Sequence, residues 1–359
     1  MKNYSAKIAF AGAIVVVALL SRWAYPRLYS VAMSDSGETP AVATGTVPQF
    51  MLPALSFVNI GGTATSSPVA STTASGPASV GAVAGGTPAA AATDTIFVAP
   101  LGPVANSVFT RVGSAPPPNL AVREALVADL STGAIMMGKD ATDRWPLASL
   151  TKLMTATLVF DNLNLSQKVT ITPAEFDVYP QEKQVLAGDT YTVSDLLHFL
   201  LMPSSNVAAE ALATTYGRSQ FIAAMNARAA AWGMTQTHYV DPSGLAEGDQ
   251  STPEDLILLM QRIFADYPQL LAITRTPVTT VTELNSDTTV TVRSINQFAG
   301  EQDFLGGKTG YTDQADGNLL SIFSDNGHPV LVIIFGTTDW SRFITMEQLY
   351  HWFTANFTP

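Results

Sequence analysis

Cysteine is absent from all 359 residues, which excludes disulfides, thiolate zinc sites, iron–sulfur clusters and a cysteine nucleophile. Positive charge is scarce as well. Lys and Arg total 18 against 29 Asp and Glu, a formal charge of −11. A nucleic-acid partner, which demands a basic face to neutralise phosphates, is therefore not expected. Charged residues of both signs make up 13% and hydrophobic residues 47%, so the chain as a whole is not a charged disordered one. Histidine occurs four times, at His198, His238, His328 and His351, with no H-E-x-x-H. His238-Tyr239-Val240-Asp241 is the one suggestive pair, and a solvated loop reads better there than a metal site. No metal and no cofactor is expected.

What is present divides into three parts. Lys2 and Lys7 precede an apolar run from Ile8 to Leu20, followed by Arg22, Trp23, Tyr25 and Arg27. Its 13 residues match a signal-peptide apolar region and fall short of a full span. Small residues suited to cleavage do not follow closely. Residues 1–28 are read as an export signal retained as a membrane anchor, with Trp23 and Tyr25 at the interface and a cleaved signal as the alternative. Residues 29–118 hold no charge between Glu38 and Asp94 and are dominated by Ala, Gly, Ser, Thr, Pro and Val. Side chains that small bury too little area to offset the entropy of ordering them, so this part is read as a linker. Residues 119–359 read as one globular domain. It keeps 13 of the basic and 26 of the acidic residues, so the acidity belongs to it.

Within that domain, Ala125–Leu130 and Ala134–Met137 flank Ser131-Thr132-Gly133 as a hairpin. Ser149 to about Asn162 has helical periodicity, with Leu150, Leu153, Met154, Thr157 and Leu158 on one face. Val193–Met202 is a helix stopped by Pro203, and a second runs on to Gly217. Phe221–Trp232, Pro253–Ala265 (capped at Ser251/Thr252) and Ser341–Phe353 complete the helices. Val278–Thr282 with Thr288–Arg293, and Leu319–Phe323 with Val330–Phe335, read as hairpins. Helices set between early and late antiparallel strands predict an α+β domain: an antiparallel sheet flanked by helices, with a helical subdomain.

Three motifs carry chemistry. Ser149-Leu150-Thr151-Lys152 is S-x-x-K at a helix start, and a spacing of three puts hydroxyl and amine on one face. A serine needs a base to take its proton, and a lysine serves if burial or a nearby cation makes it give up its own. A capping serine beside a surface lysine is the bland reading of that motif alone. Lys308-Thr309-Gly310, behind Gly306-Gly307, offers a cation for a carboxylate on a strand edge that a ligand approaches closely. S-x-N occurs three times, at Ser204–Asn206, Ser294–Asn296 and Ser324–Asn326. The last is turn chemistry. Ser204 and Asn206 are preferred because a helix junction presents both groups, Ser204 as a proton relay and Asn206 to orient Lys152 and bind a substrate amide.

In this order the motifs resemble the serine D-alanyl-D-alanine carboxypeptidases, the low-molecular-mass penicillin-binding proteins. The likeness covers about residues 120–355. It includes Ala125–Asp129 with Ser131-Thr132-Gly133, Pro146–Thr155, Leu200–Glu210, Asp241-Pro242-Ser243-Gly244-Leu245 with Ser251-Thr252, and Gly306–Thr312. It implies a DD-peptidase/β-lactamase-like fold, Ser149 as nucleophile, Lys152 as general base, and Ser204 and Asn206 as relay and orienting group. Lys308 and Thr309 would bind the terminal carboxylate, Gly310 completing their motif, with Arg342 assisting. The N–H groups of Ser149 and Tyr311 would form the oxyanion hole. Substrates would be peptidoglycan stem peptides ending in D-Ala-D-Ala, with β-lactams acylating the same serine. Action is expected outside the cytoplasmic membrane, in the periplasm or cell wall.

The chain ends about fifty residues after Lys308, which leaves no room for the C-terminal β-domain and amphipathic helix of many members. That favours N-terminal attachment and keeps cross-link endopeptidase activity open. A class A β-lactamase needs E-x-x-L-N, and the nearest string, Val281-Thr282-Glu283-Leu284-Asn285, has valine in the glutamate's place. A catalytically silent penicillin-binding sensor or scaffold is the non-enzymatic alternative.

Overall fold

Strands that read as unbroken apolar runs are buried on both faces. In the computed structural model, which describes residues 96–99, 102–103, 106–176, 184–338 and 340–359, they form a six-stranded sheet. Its strands are β1 (Ile96–Val98), β2 (Glu124–Asp129), β3 (Ile135–Lys139), β4 (Phe304–Thr312), β5 (Asp316–Asp325) and β6 (His328–Thr337). The order is β1-β3-β2-β6-β5-β4, every neighbouring pair antiparallel. Both ends of the sequence thus build one sheet, as expected.

Alternation along the strands separates two cores. Leu126, Ala128, Leu320, Ile322, Leu331, Ile333 and Phe335 point to one face. Ala125, Val127, Leu319, Phe323, Val330, Val332 and Ile334 point to the other. The first face packs on helices α1 (Lys152–Asn162), α2 (Val193–Leu201), α3 (Asn206–Tyr216), α4 (Arg218–Ala231), α5 (Pro253–Asp266) and α6 (Pro268–Thr274). The second is covered by α7 (Ser341–Asn356) through Phe343, Met346, Leu349, Trp352 and Phe353. The described residues form an α+β domain with helices on both faces of an antiparallel sheet.

Local chemistry explains the helix starts. Thr192 and Asp195 close a capping box on α2. Thr252 accepts from the Asp255 amide on α5 with Pro253 in the first turn, so the expected cap is Thr252. The surface hairpin forms between Val278–Glu283 and Thr288–Arg293 in register. Helix α6 was not expected. It follows Tyr267 immediately with Pro268 at its start, so no loop signal separates it from α5.

One boundary is corrected. The linker was expected to run to residue 118, but the fold begins no later than Ile96. Strand β1 extends the sheet by pairing with β3. Thr110–Arg111 pairs with both Gly102–Pro103 and the C-terminal Phe357–Thr358. Phe109 is fully buried against Phe353, and Arg111 donates to the carbonyls of Ala99, Gly113 and Ala115. Asp129 accepts from Ser107 Oγ and the Val108 amide. Strands of two or three residues carry no readable period, and low-complexity composition masked them. The anchor segment 1–28 and the linker up to residue 95 lie outside the described residues.

Candidate active site

The turn that carries Ser149 is built by strain held from several sides. Trp145–Pro146 pairs with Gln250–Ser251, and the Leu147 amide donates to the Asp249 carbonyl at 2.7 Å. Ala148 then adopts φ +48°, a left-handed conformation that costs a residue with a Cβ about 1–2 kcal/mol. Asn318 on β5 donates its Nδ2 to the carbonyls of Pro146 (2.8 Å) and Leu147 (3.2 Å) and accepts from the Gly336 amide. Two glycines make the room. A Cβ on Gly310 would meet Ala148 Cβ at 3.1 Å and the Ser149 amide at 3.3 Å, and one on Gly244 would meet the Ala148 carbonyl oxygen at 1.8 Å. Ala148–Thr151 forms a 3-10 turn, and the α-helix proper begins at Lys152, three residues later than expected.

Lys152 is fully buried. Its Nζ donates to Ser149 Oγ at 2.9 Å, Asn206 Oδ1 at 2.6 Å and the Ser243 carbonyl at 2.6 Å. The S-x-x-K pair is therefore a buried contact, which removes the bland reading of a cap beside a solvated amine. Between α2 and α3, Ser204 is held at φ +69°, while Ser205 caps α3 by accepting from the Ala208 amide. That junction presents Ser204 and Asn206 on the same side.

Strand β4 brings the third motif. Lys308 is 1% exposed, and its Nζ donates to Ser204 Oγ at 2.7 Å and to the Thr309 carbonyl at 2.9 Å. Burial, then repulsion from Lys152 and Arg342, holds its amine well below the usual lysine range. Arg342, at the start of α7, reaches back so that Nη1 donates to the Gly310 carbonyl at 3.2 Å. Ser149, Ser204, Asn206, Thr309, Gly310, Tyr311 and Arg342 line one cleft of about 220 Å³, closed at the sides by Pro203 and Ile295. A larger cleft, about 370 Å³ beside Trp232 and Arg262, carries none of these groups.

The other two S-x-N strings bring neither their serine nor their asparagine to the cleft lining. Asn296 is buried and accepts from the Phe298 amide, and Asn326 sits at φ +51° in the β5–β6 turn. Glu283 of the near-match to the β-lactamase pattern is bound by Ser286 and by the Thr190 amide. The lining of the cleft contains no carboxylate among the described residues. His238 is exposed and bridged to Gln250 through its backbone, and no group of three His, Asp or Glu among the described residues is placed to hold a metal.

Sequence reasoning missed four contributors. The Ser243 carbonyl has no side-chain signature, though Gly244 beside it marks a close approach. Ile295 lines the cleft from inside a rejected motif. Asn318 acts from a strand interior, and Asp249 from a string, Glu247-Gly248-Asp249, that reads as a solvated loop.

The chain resembles known proteins over most of its described residues. The sequence profile of the D-alanyl-D-alanine carboxypeptidase family matches residues 111–339. A D-alanyl-D-alanine endopeptidase of Pseudomonas aeruginosa is 34% identical over 261 residues, spanning 68% of this chain and 84% of its own. The structure of a D-alanyl-D-alanine carboxypeptidase from Mycobacterium tuberculosis superimposes with a TM-score of 0.61 at 29% identity, covering 68% of this chain and 96% of that one. Ampicillin-bound penicillin-binding protein D2 of Listeria monocytogenes gives 0.58 at 28%, covering 66% and 98%.

Proposed function

The chain belongs to the D-alanyl-D-alanine carboxypeptidase family, and from that premise we propose that Ser149 is its acylated nucleophile and Lys152 its general base. It is a serine-type peptidase of peptidoglycan that acts outside the cytoplasm. The observation that carries the assignment is the buried Lys152 amine with Ser149 Oγ at 2.9 Å and its other hydrogen-bonding directions taken by Asn206 and Ser243.

Ser149 Oγ attacks the carbonyl between the two D-alanines while its proton passes to Lys152. Amides at the turn and on the adjoining β4 edge stabilise the oxyanion. The C–N bond breaks and the D-alanine amine takes a proton, for which the Lys308–Ser204 contact of 2.7 Å offers a relay. Water then hydrolyses the ester and restores Ser149. Lys308 and Arg342, two cations that repel each other across the cleft, gain a counter-charge when a substrate carboxylate arrives. The lack of a carboxylate in the cleft lining, among the described residues, supports slow release of a β-lactam adduct. The Ile8–Leu20 run supports a retained N-terminal anchor.

Intact-mass analysis of the full chain after brief incubation with benzylpenicillin tests this. Wild type gains one penicilloyl group and Ser149→Ala gains none. Wild type then releases D-alanine from a pentapeptide. An unmodified wild type with intact penicillin overturns the assignment, and hydrolysed penicillin without adduct indicates a β-lactamase. The likeness to the Pseudomonas endopeptidase favours one second reading, cleavage of D-alanyl cross-links, which a cross-linked muropeptide dimer distinguishes.

A further inference from the structure

Behind the Ser149–Lys152 pair lies a carboxyl group with no part in the chemistry above. Asp249 is fully buried. Its backbone carbonyl accepts from the Leu147 amide, at the entrance to the nucleophile turn. Its side-chain Oδ1 accepts from the amides of Val240 at 2.6 Å and Asp241 at 3.1 Å. The hydroxyl of Thr151, the residue before Lys152, is close enough to influence the same carboxyl but makes no hydrogen bond to it, and Asp249 Oδ2 and Thr151 Oγ1 are both buried without a partner. Asp241 continues the arrangement. Its Oδ1 accepts from the Ser243 and Gly244 amides and from Ser243 Oγ, and its Oδ2 from the Ala246 amide. The loop so fixed is the one that aims the Ser243 carbonyl at Lys152 Nζ.

We propose that Asp249 is a positioning residue for the general base, tying the turn that bears Ser149 to the loop that bears the Ser243 carbonyl. This rests on the assignment of Lys152 as base. Three acceptors at 2.6–2.9 Å define where the amine sits. One of the three belongs to the loop, so a loop displacement moves the base relative to Ser149 Oγ while leaving Lys308, Thr309 and Arg342 in place. Misplacement by about 1 Å costs on the order of 100-fold in rate, and binding through the far side of the cleft is spared.

The site is also sensitive to protons. Burial and the neighbouring Asp241 carboxylate push the Asp249 carboxyl up to about 7, against the amides of Val240 and Asp241 and the Thr151 hydroxyl, which lower it. Other groups near it are the buried Tyr239 hydroxyl on the same segment and Arg218 on α4. Arg218 is itself paired with Glu210 on α3, and Asp255 on α5 faces Tyr239. The carboxyl therefore changes charge near neutral pH on the residue that ties down the entrance to the nucleophile turn.

The test follows acylation of the full chain by benzylpenicillin, separating non-covalent affinity from the acylation rate constant, across pH 5–9 or so. Asp249→Ala is expected to lower the acylation rate constant about 10- to 100-fold with affinity changed less than about threefold. Asp249→Asn, which keeps the Oδ1 acceptor, is expected to stay within about threefold at its optimum and to lose an inflection of the wild-type pH profile near neutrality. Wild-type acylation with both variants matching it in rate and profile overturns the inference alone. So does a loss in Asp249→Ala that falls on affinity. Failure of wild type to be acylated overturns the base assignment and this inference with it. If Asp249→Ala does not fold, the profile of Asp249→Asn decides.

Discussion

Gly244 lies against the carbonyl oxygen of Ala148, so closely that a Cβ at 244 would approach it to 1.8 Å. The two residues belong to different segments, the loop that aims the Ser243 carbonyl and the turn that carries Ser149. Each has a positive φ, +84° at Gly244 and +48° at Ala148. A rigid backbone atom is in the way, so no side-chain rotation relieves the overlap.

Gly244→Ala is therefore expected to cost about 2–4 kcal/mol of stability from overlap and left-handed strain together. Acylation by benzylpenicillin should fall by about 100-fold or more, because the turn must move to make room. Thermal melting and acylation rates measured side by side check both halves. A variant that melts and acylates like wild type would show that the turn is softer than described.

Glu124 gives a pH dependence away from the cleft. It is 2% exposed at the start of β2. Burial first, then Asp143 and Asp140, push its carboxyl from 4.5 up to about 9, against a smaller opposing effect of Arg123. Because the folded value is the higher one, the folded chain holds this proton more tightly than the unfolded chain. The stabilisation is complete below about pH 4.5 and is lost as pH rises toward 9. Glu124→Gln stays neutral throughout. Its melting temperature relative to wild type should climb by several degrees between those limits, and a difference that stays flat with pH would refute the buried acid.

Removal of residues 1–118 should be damaging where removal of residues 1–94 is tolerated. The longer deletion discards β1, the paired Thr110–Arg111 strand and Phe109, whose ring is 5.1 Å from Phe353. Loss of the Phe109 side chain alone is worth about 3–5 kcal/mol. The fragment 119–359 is expected to melt lower and aggregate more than 95–359. Equal melting curves would show that these strands add nothing to the fold.

The contrast between Lys152 and Asn318 shows what the sequence made legible. Lys152 and Ser149 are three apart on a helical segment, so their proximity follows from local geometry, and the helices around them follow from period and caps. Asn318 finds Pro146 and Leu147, more than 170 positions away, only through the register that sets it opposite Gly310 on β4. Nothing within ten residues of it encodes that. Asp249 was hidden differently, since acidic residues in loops are usually solvated and its burial depends on the turn before Ser149. Ser204 and Asn206 stand between. The helix break was readable, but choosing them over Ser294–Asn296 needed chemistry rather than pattern. The short strands around residues 96–111 were lost because each is only two or three residues long, too short to show a period, and Thr110–Arg111 is completed by Phe357–Thr358 at the other end of the chain.

The position of β1 separates the place where the described chain enters the sheet from the place where the third motif lies. Strand β1 is one margin of the sheet, and β4, with Lys308 and Thr309, is the opposite margin. Five interstrand spacings separate them, roughly 24 Å. A change in β1 therefore reaches Lys308 and Thr309 only across every other strand of the sheet, which insulates the cleft from that margin.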